Sequence, residues 1–331
     1  MPHLLVLLCA ALLTLSCPSA ASGAALLAPD GEVLTGVASG KDITDFQRRT
    51  GKHPDVWQHW IQWGDTFQYA LRRSADTDTR LMLHVSTAAG QHQPGRLSPG
   101  QIARGAGDRW LVAVNRTLAE HDGPVYLRLL AEMNNCDLAY APVGCDGRSR
   151  GADHSAATFK RAWRRTVLIV RGGPVATINR QLRGMKLRGV QGVSADERLP
   201  RPHVAVMWSP MTGGSPMIGA LRPQRFWPGG EWVDWVGTSF YSRFPNFHFL
   251  EPYYQQFAVR HRKPFAFAEW AMWGADSSAF PSRLFSWARS HKRVRMMIYN
   301  QGHDPSGPFR LRRFPAAQKQ IRRELNRPPF R

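Results

Sequence analysis

The chain has 331 residues, 43% of them hydrophobic, and a formal net charge of +20. That length and apolar content exclude a disordered chain and a disulfide-built miniprotein, and they fit one large domain with a sizeable core. The charge comes from 37 Arg against 7 Lys, the arginines dispersed over residues 48–331 with no helix-turn-helix, zinc-finger or RNA-binding signature; nucleic acid is therefore not an expected partner, and association with anionic cell-wall polymer is a secondary expectation.

The first 25 residues carry no acidic or basic side chain except His3, although a basic residue is usual at the start of an export signal. An apolar run over residues 4–15 followed by small residues reads as a secretory signal cleaved near residues 20–25. The run is too short to span a bilayer, so no stable membrane insertion is expected. Residues 26–331 are expected as a single exported domain, a monomer. Cleavage would remove Cys9 and Cys17 and leave Cys136 and Cys145, which share one loop and in an oxidising compartment are expected to pair. Closing so short a ring stabilises by about 2–3 kcal/mol. Zinc is the poorer reading of this loop, because Asp137, Asp146 and His154 show no ligand spacing.

In chain order, the pattern predicts a strand over 34–39, a helix over 42–50, an aromatic strand over 55–64, a helix over 65–75 and a third strand over 80–88. Ser98 is placed to cap a long helix that runs with interruptions to about residue 121. The acceptor sequence Asn115-Arg116-Thr117 falls inside it and is read as incidental. The fourth strand lies in 124–135, and its long connection to residue 153 suggests function. Helical patterns follow over 154–170, 178–187, 251–262, 282–292 and 314–325. Between them lie strands over 203–210, 232–241, 265–269 and 294–300. Eight apolar strands alternating with helices predict a (β/α)8 TIM barrel, in which active sites gather at the carboxyl ends of the strands.

Two of those ends stand out. In PVYLRLLAEMNN (124–135), period two places Tyr126, Arg128, Leu130 and Glu132 on one face. Burying Arg128 and Glu132 there costs several kcal/mol each unless they are paired or open to a cavity. In KPFAFAEWAMWG (263–274) the same alternation groups Phe265, Phe267 and Glu269. Two glutamates at strand ends suggest the carboxylate pair of a glycosidase, one donating a proton to the leaving oxygen and one acting opposite it. The chain's 12 tryptophans suit a sugar cleft, and Trp208, Trp270 and Trp273 are expected on the active face, with Trp60 and Trp63 as further candidates. For any single tryptophan core packing is the better reading, while the set near Glu269 is read as stacking platforms. His84, ending the third strand, reads either as a sugar contact or as a hydrogen-bonded core histidine.

The segments RLLAEMN (128–134), MWSP (207–210), WPGGEWVDWVGTSFY (227–241) and FAEWAMWG (267–274) together resemble glycoside hydrolase family 26. Its best-known members are secreted β-mannanases with a (β/α)8 barrel. The resemblance spans most of the chain after the signal. It implies that Glu132 is the general acid/base, that Glu269 is the nucleophile and that configuration is retained, with no metal or organic cofactor. It also implies that Tyr241 hydrogen-bonds the nucleophile. Asn134 joins the supporting residues. Arg128 reads either as the group that sets the two carboxyl pKa values apart or as the partner of a barrel aspartate. The family usually has His immediately before the acid/base, and this chain has Ala131; no aromatic of the expected kind follows in NCDLAY (135–140). Both departures fall where the sugar at the cleaved bond is recognised. Two alternatives to a β-mannanase therefore stay open, a β-glucanase or xylanase of the same barrel type and a catalytically silent barrel binding cell-wall glycan.

Overall fold

The computed structural model describes residues 26–330 apart from Asp30 and Lys41, so the expected export signal lies outside the described residues. Eight strands form a closed parallel barrel. They are β1 (Leu34–Ser39), β2 (Val56–Gln62), β3 (Arg80–Ser86), β4 (Val125–Leu129), β5 (Val204–Trp208), β6 (Trp235–Tyr241), β7 (Phe265–Ala271) and β8 (Val294–Gly302). Each pairs with its neighbours in sequence, and β8 closes the ring by pairing with β1, Leu34 opposite Met296. This is the (β/α)8 TIM barrel.

The helices are α1 (Thr44–Thr50), α2 (Gln68–Asp76), α3 (Pro99–Ala103), α4 (Asp108–Ala119), α5 (Ala156–Arg171), α6 (Val175–Gly184), α7 (Phe247–Tyr253), α8 (Ala279–Ser290) and α9 (Pro315–Leu325). Ser98 caps α3 in a reciprocal capping box with Gln101. The single helix expected from Ser98 onward is two helices, because Gly105 and Gly107 take positive φ of 102° and 84° and break the run. Asn115 of the acceptor sequence is fully buried and donates to the Val170 and Pro200 carbonyls, both at 2.9 Å, so it cannot carry a glycan in the folded protein.

Alternation along the strands divides the apolar residues into two layers. Met82, Tyr126, Met207, Trp235, Met296 and Ile298 fill the barrel interior. Val37, Leu83, Leu127, Val206 and Phe267 face outward to the helices. Inside the barrel, Tyr126 meets Trp235 edge-on at 5.7 Å. Its hydroxyl donates to the Leu26 carbonyl and accepts from Arg80 Nη1 at 2.8 Å, so the segment before β1 stoppers the amino end. The interior is tight: a Cβ on Gly36 would lie 2.4 Å from Ile298 Cδ1 and 2.5 Å from the Val56 carbonyl. With that end filled, the open end is the carboxyl one. Among the described residues, no helix is long and apolar enough to cross a membrane.

Candidate active site

The alternation of β4 stops at Leu129. Leu130 and Glu132 both take left-handed conformations, φ 40° and 55°, which cost about 1–3 kcal/mol each for side-chain-bearing residues. Backbone bonds hold them there, Leu130 N to the Val85 carbonyl and Glu132 N to the Ser209 carbonyl, both at 2.8 Å. Glu132 is therefore not on the strand, and Leu130 leaves the face of Tyr126 and Arg128 for the outer layer. The expected alternation fails here because the chain turns to bring a carboxylate into the mouth. Asn135 Nδ2 donates to Glu132 Oε2 at 3.1 Å. One residue later Cys136 is bonded to Cys145, the expected disulfide.

Glu269 arrives by a different local device. On β7, Phe265 and Phe267 face the helices while Ala266 and Ala268 face the interior. Pairing with β6 then slips, from Thr238 opposite Phe267 to Ser239 opposite Glu269. This bulge re-aims the next side chain. Glu269 consequently points inward and does not share a face with the two phenylalanines. Its Oε2 accepts from Arg128 Nη1 at 2.5 Å and from Gln58 Nε2 at 3.4 Å. Its Oε1 accepts from the Tyr241 hydroxyl and from Asn300 Nδ2 at 2.9 Å.

Arg128 is the hub. Besides Glu269, its guanidinium donates to Ser209 Oγ at 3.2 Å, to Ser239 Oγ at 2.8 Å and to His84 Nδ1 at 3.2 Å. The electrostatic consequence is that the two carboxyls part. Burial and then the charge of Glu269 push the Glu132 pKa up, while Arg128 and hydrogen bonds from Ser239 and Asn135 only partly oppose this. Burial also pushes Glu269 up, but the Arg128 charge and the hydrogen bonds from Tyr241 and Arg128 outweigh it and hold that carboxyl below the usual range. Burial and the adjacent guanidinium lower His84 to about 3. The imidazole is thus neutral near pH 7, and because Nδ1 accepts from Arg128 its proton sits on Nε2. Burial and the Glu269 charge raise the Tyr241 phenol well above its ordinary value, so it stays a donor.

No family profile and no curated protein matches the sequence. Solved structures do. A Bacillus subtilis mannanase is similar at 16% identity and TM-score 0.52, over 91% of this chain and 88% of its own. A Cellulomonas fimi endo-β-1,4-mannanase double mutant reaches TM-score 0.58 at 15% identity, over 90% and 71%. A Bacteroides ovatus family 26 β-mannanase gives 0.54 at 15%, over 91% and 90%. The fold is that of the family 26 mannanases.

On this barrel, Glu132, Glu269, Arg128, Tyr241 and His84 converge at one mouth. Trp273 stands half-buried beside them, 5.8 Å from the Tyr241 ring, and Trp60 lies at the rim against His303. Three expected residues lie elsewhere. Trp208 is fully buried between the barrel and the helices against Phe257 at 4.8 Å, and Trp270 is likewise enclosed by Phe285 and Tyr299. They sit on outward-facing strand positions, so stacking on sugar is closed to them. Asn134 is fully buried and pins the loop after β5, exchanging bonds with Met211 N and the Met211 and Leu221 carbonyls. Trp63 also packs in the helical layer, against Trp110. The residues that sequence reasoning missed are Gln58, Ser209, Ser239, Asn300 and Asn135. Ser209, Ser239 and Asn300 share a legible signal, being a small polar or amide residue within two positions of the carboxyl end of an apolar strand, whereas Gln58 is third in β2 and Asn135 lies beyond β4 in the loop.

Proposed function

We propose that the protein is an exported, retaining endo-β-glycanase of the β-mannanase type. The supporting observation is a pair of glutamates around one arginine whose pKa values are driven in opposite directions. In this reading the Glu269 carboxylate attacks the anomeric carbon while Glu132 gives its proton to the glycosidic oxygen, and the leaving chain departs as an alcohol. Forming the glycosyl ester removes the Glu269 charge, which was one cause of the raised Glu132 pKa. Glu132, now a carboxylate of lower pKa, takes a proton from water as that water attacks the same carbon, and Glu269 is released. Arg128, Tyr241 and Asn300 keep Glu269 ionised and oriented. His84 stays neutral and accepts from Arg128 through Nδ1. Export is consistent with the Cys136–Cys145 bond.

The experiment is reducing-end release and product stereochemistry on β-mannan, β-glucan and xylan, with Glu132→Gln and Glu269→Gln as controls. The expected outcome is release from β-mannan with retention, lost in both variants. Binding without release on every glycan would instead identify a silent barrel, and full turnover in either variant would remove that glutamate from its assigned role.

A further inference from the structure

A second cavity, of about 520 Å³, lies one ring away from Glu269, a volume ordinary for a small-ligand site. It opens between the loop after β6 and the loop after β7, and the first turn of α8 forms its third wall. Trp273 belongs to both sites. It lines this cavity and packs edge-on against Tyr241, whose hydroxyl holds Glu269.

Two arginines line the cavity. The Arg243 guanidinium lies 5.0 Å over the Trp273 ring and 5.7 Å over Phe244. That of Arg283 lies 4.0 Å over Phe247. Stacking fixes the plane of a guanidinium and leaves its N–H edge available. Neither arginine has a carboxylate partner among the described residues, and no acid lines the cavity. Asp276, in the same loop, is engaged elsewhere, accepting from Ala316 N at 2.8 Å and Ala317 N at 2.9 Å at the start of α9.

We propose that this cavity binds the carboxylate of a uronic acid residue, so that the natural substrate is an acidic β-glycan. The proposal rests on the glycosidase reading and names its substrate class. An arginine edge matches a carboxylate in two parallel hydrogen bonds. The half-buried Trp273 supplies apolar surface for a sugar ring, which an inorganic anion would leave unused. A concave site with two like charges and no counter-charge concentrates anions, and the overall charge of +20 steers an acidic polymer toward the protein.

The test is calorimetric binding of a glucuronic-acid-bearing β-glycan and its carboxyl-reduced form, in a Glu269→Gln background that prevents turnover. The acidic form is expected to bind at least about tenfold more tightly, the size of a charge-assisted hydrogen bond. Arg243→Gln and Arg283→Gln are each expected to remove most of that preference, whereas Arg180→Gln on α6 leaves it. Equal binding of the two forms overturns the proposal. So does an equal loss in the Arg180 variant, which assigns the preference to net charge. Inorganic phosphate displacing the acidic glycan as well as free glucuronate does also overturns it. Because the readout is binding, the two readings fail separately. Preference for the acidic form without cleavage by the wild-type protein sinks the hydrolase, and cleavage without that preference sinks this inference.

Discussion

Arg128 Nη1 lies 2.5 Å from Glu269 Oε2, with the arginine side chain fully out of solvent. Such a pair is held less by its Coulomb attraction than by the cost of leaving either member alone in a low dielectric. Arg128→Met is therefore expected to destabilise the protein by about 3 kcal/mol, at the lower end for a broken buried pair because Tyr241, Asn300 and Gln58 still serve Glu269. Turnover is expected to fall at least about a hundredfold. Arg128→Lys restores charge but not the fork that reaches Ser209 and Ser239, so it should recover stability more than activity. Denaturant midpoints together with kcat read both effects, and wild-type kcat in the Met variant would deny Arg128 any part in the chemistry.

The opposed carboxyls predict a bell-shaped pH profile of kcat/KM. Glu269 acts as its anion, so activity is lost as pH falls through its lowered pKa; Glu132 acts protonated, so activity is lost as pH rises through its raised one. Tyr241→Phe removes a donor to the Glu269 carboxylate. It should move the acid limb to higher pH and lower kcat by about 10–100-fold, leaving the alkaline limb in place. Glu132→Gln should erase the alkaline limb for a dinitrophenyl glycoside, whose leaving group needs no proton. An unchanged alkaline limb in that variant would assign it to another group.

Cys136–Cys145 stands next to Asn135, which holds Glu132. Cys145 is exposed and therefore reachable by a reductant. Reduction, or Cys145→Ser, is expected to cost about 2–3 kcal/mol by releasing a short loop. It should also lower kcat several-fold with little change in KM, since the acid/base is loosened while the sugar contacts remain. A thermal scan with and without dithiothreitol, paired with initial rates, checks both. Loss of stability at constant kcat would confine the bridge to a purely structural role.

Much of the site is legible in the sequence, because alternation fixes which strand residues see the barrel interior and Arg128, Tyr241 and His84 all obey it. The misses occur where alternation breaks. Glu132 leaves its strand through two left-handed residues, and Glu269 changes face at a bulge, neither of which has a periodic signature in sequence. Residue type at a strand end nonetheless points to both glutamates, although period two assigns them the wrong face. Trp208 and Trp270 misled for the complementary reason: a tryptophan at a strand end suits the helical layer as well as a cleft, and parity places these two outside. Ala131 is fully buried, and its carbonyl accepts from the Tyr140 hydroxyl at 2.6 Å. A longer side chain at this position would have to displace its buried neighbours.

Away from the mouth, Asp108 and Arg165 form an ion pair with both side chains fully buried, Arg165 Nε to Asp108 Oδ1 at 2.8 Å with a parallel bond from Nη2. The guanidinium also donates to the Arg188 and Gly189 carbonyls, and Gln191 N donates to Asp108, so one pair ties α4, α5 and the loop after α6 together. Removing one partner strands the other charge in the core. Asp108→Ala is accordingly expected to cost about 3–5 kcal/mol, while the paired change Asp108→Leu with Arg165→Met recovers much of the loss, because it removes both desolvation penalties at once. No atom of the pair touches Glu132 or Glu269, so the pH profile of the folded fraction should keep both limbs. Denaturant curves for the three variants supply the measurement. A double variant no more stable than Asp108→Ala would mean that the backbone bonds of Arg165, and not its charge partner, hold this side of the barrel.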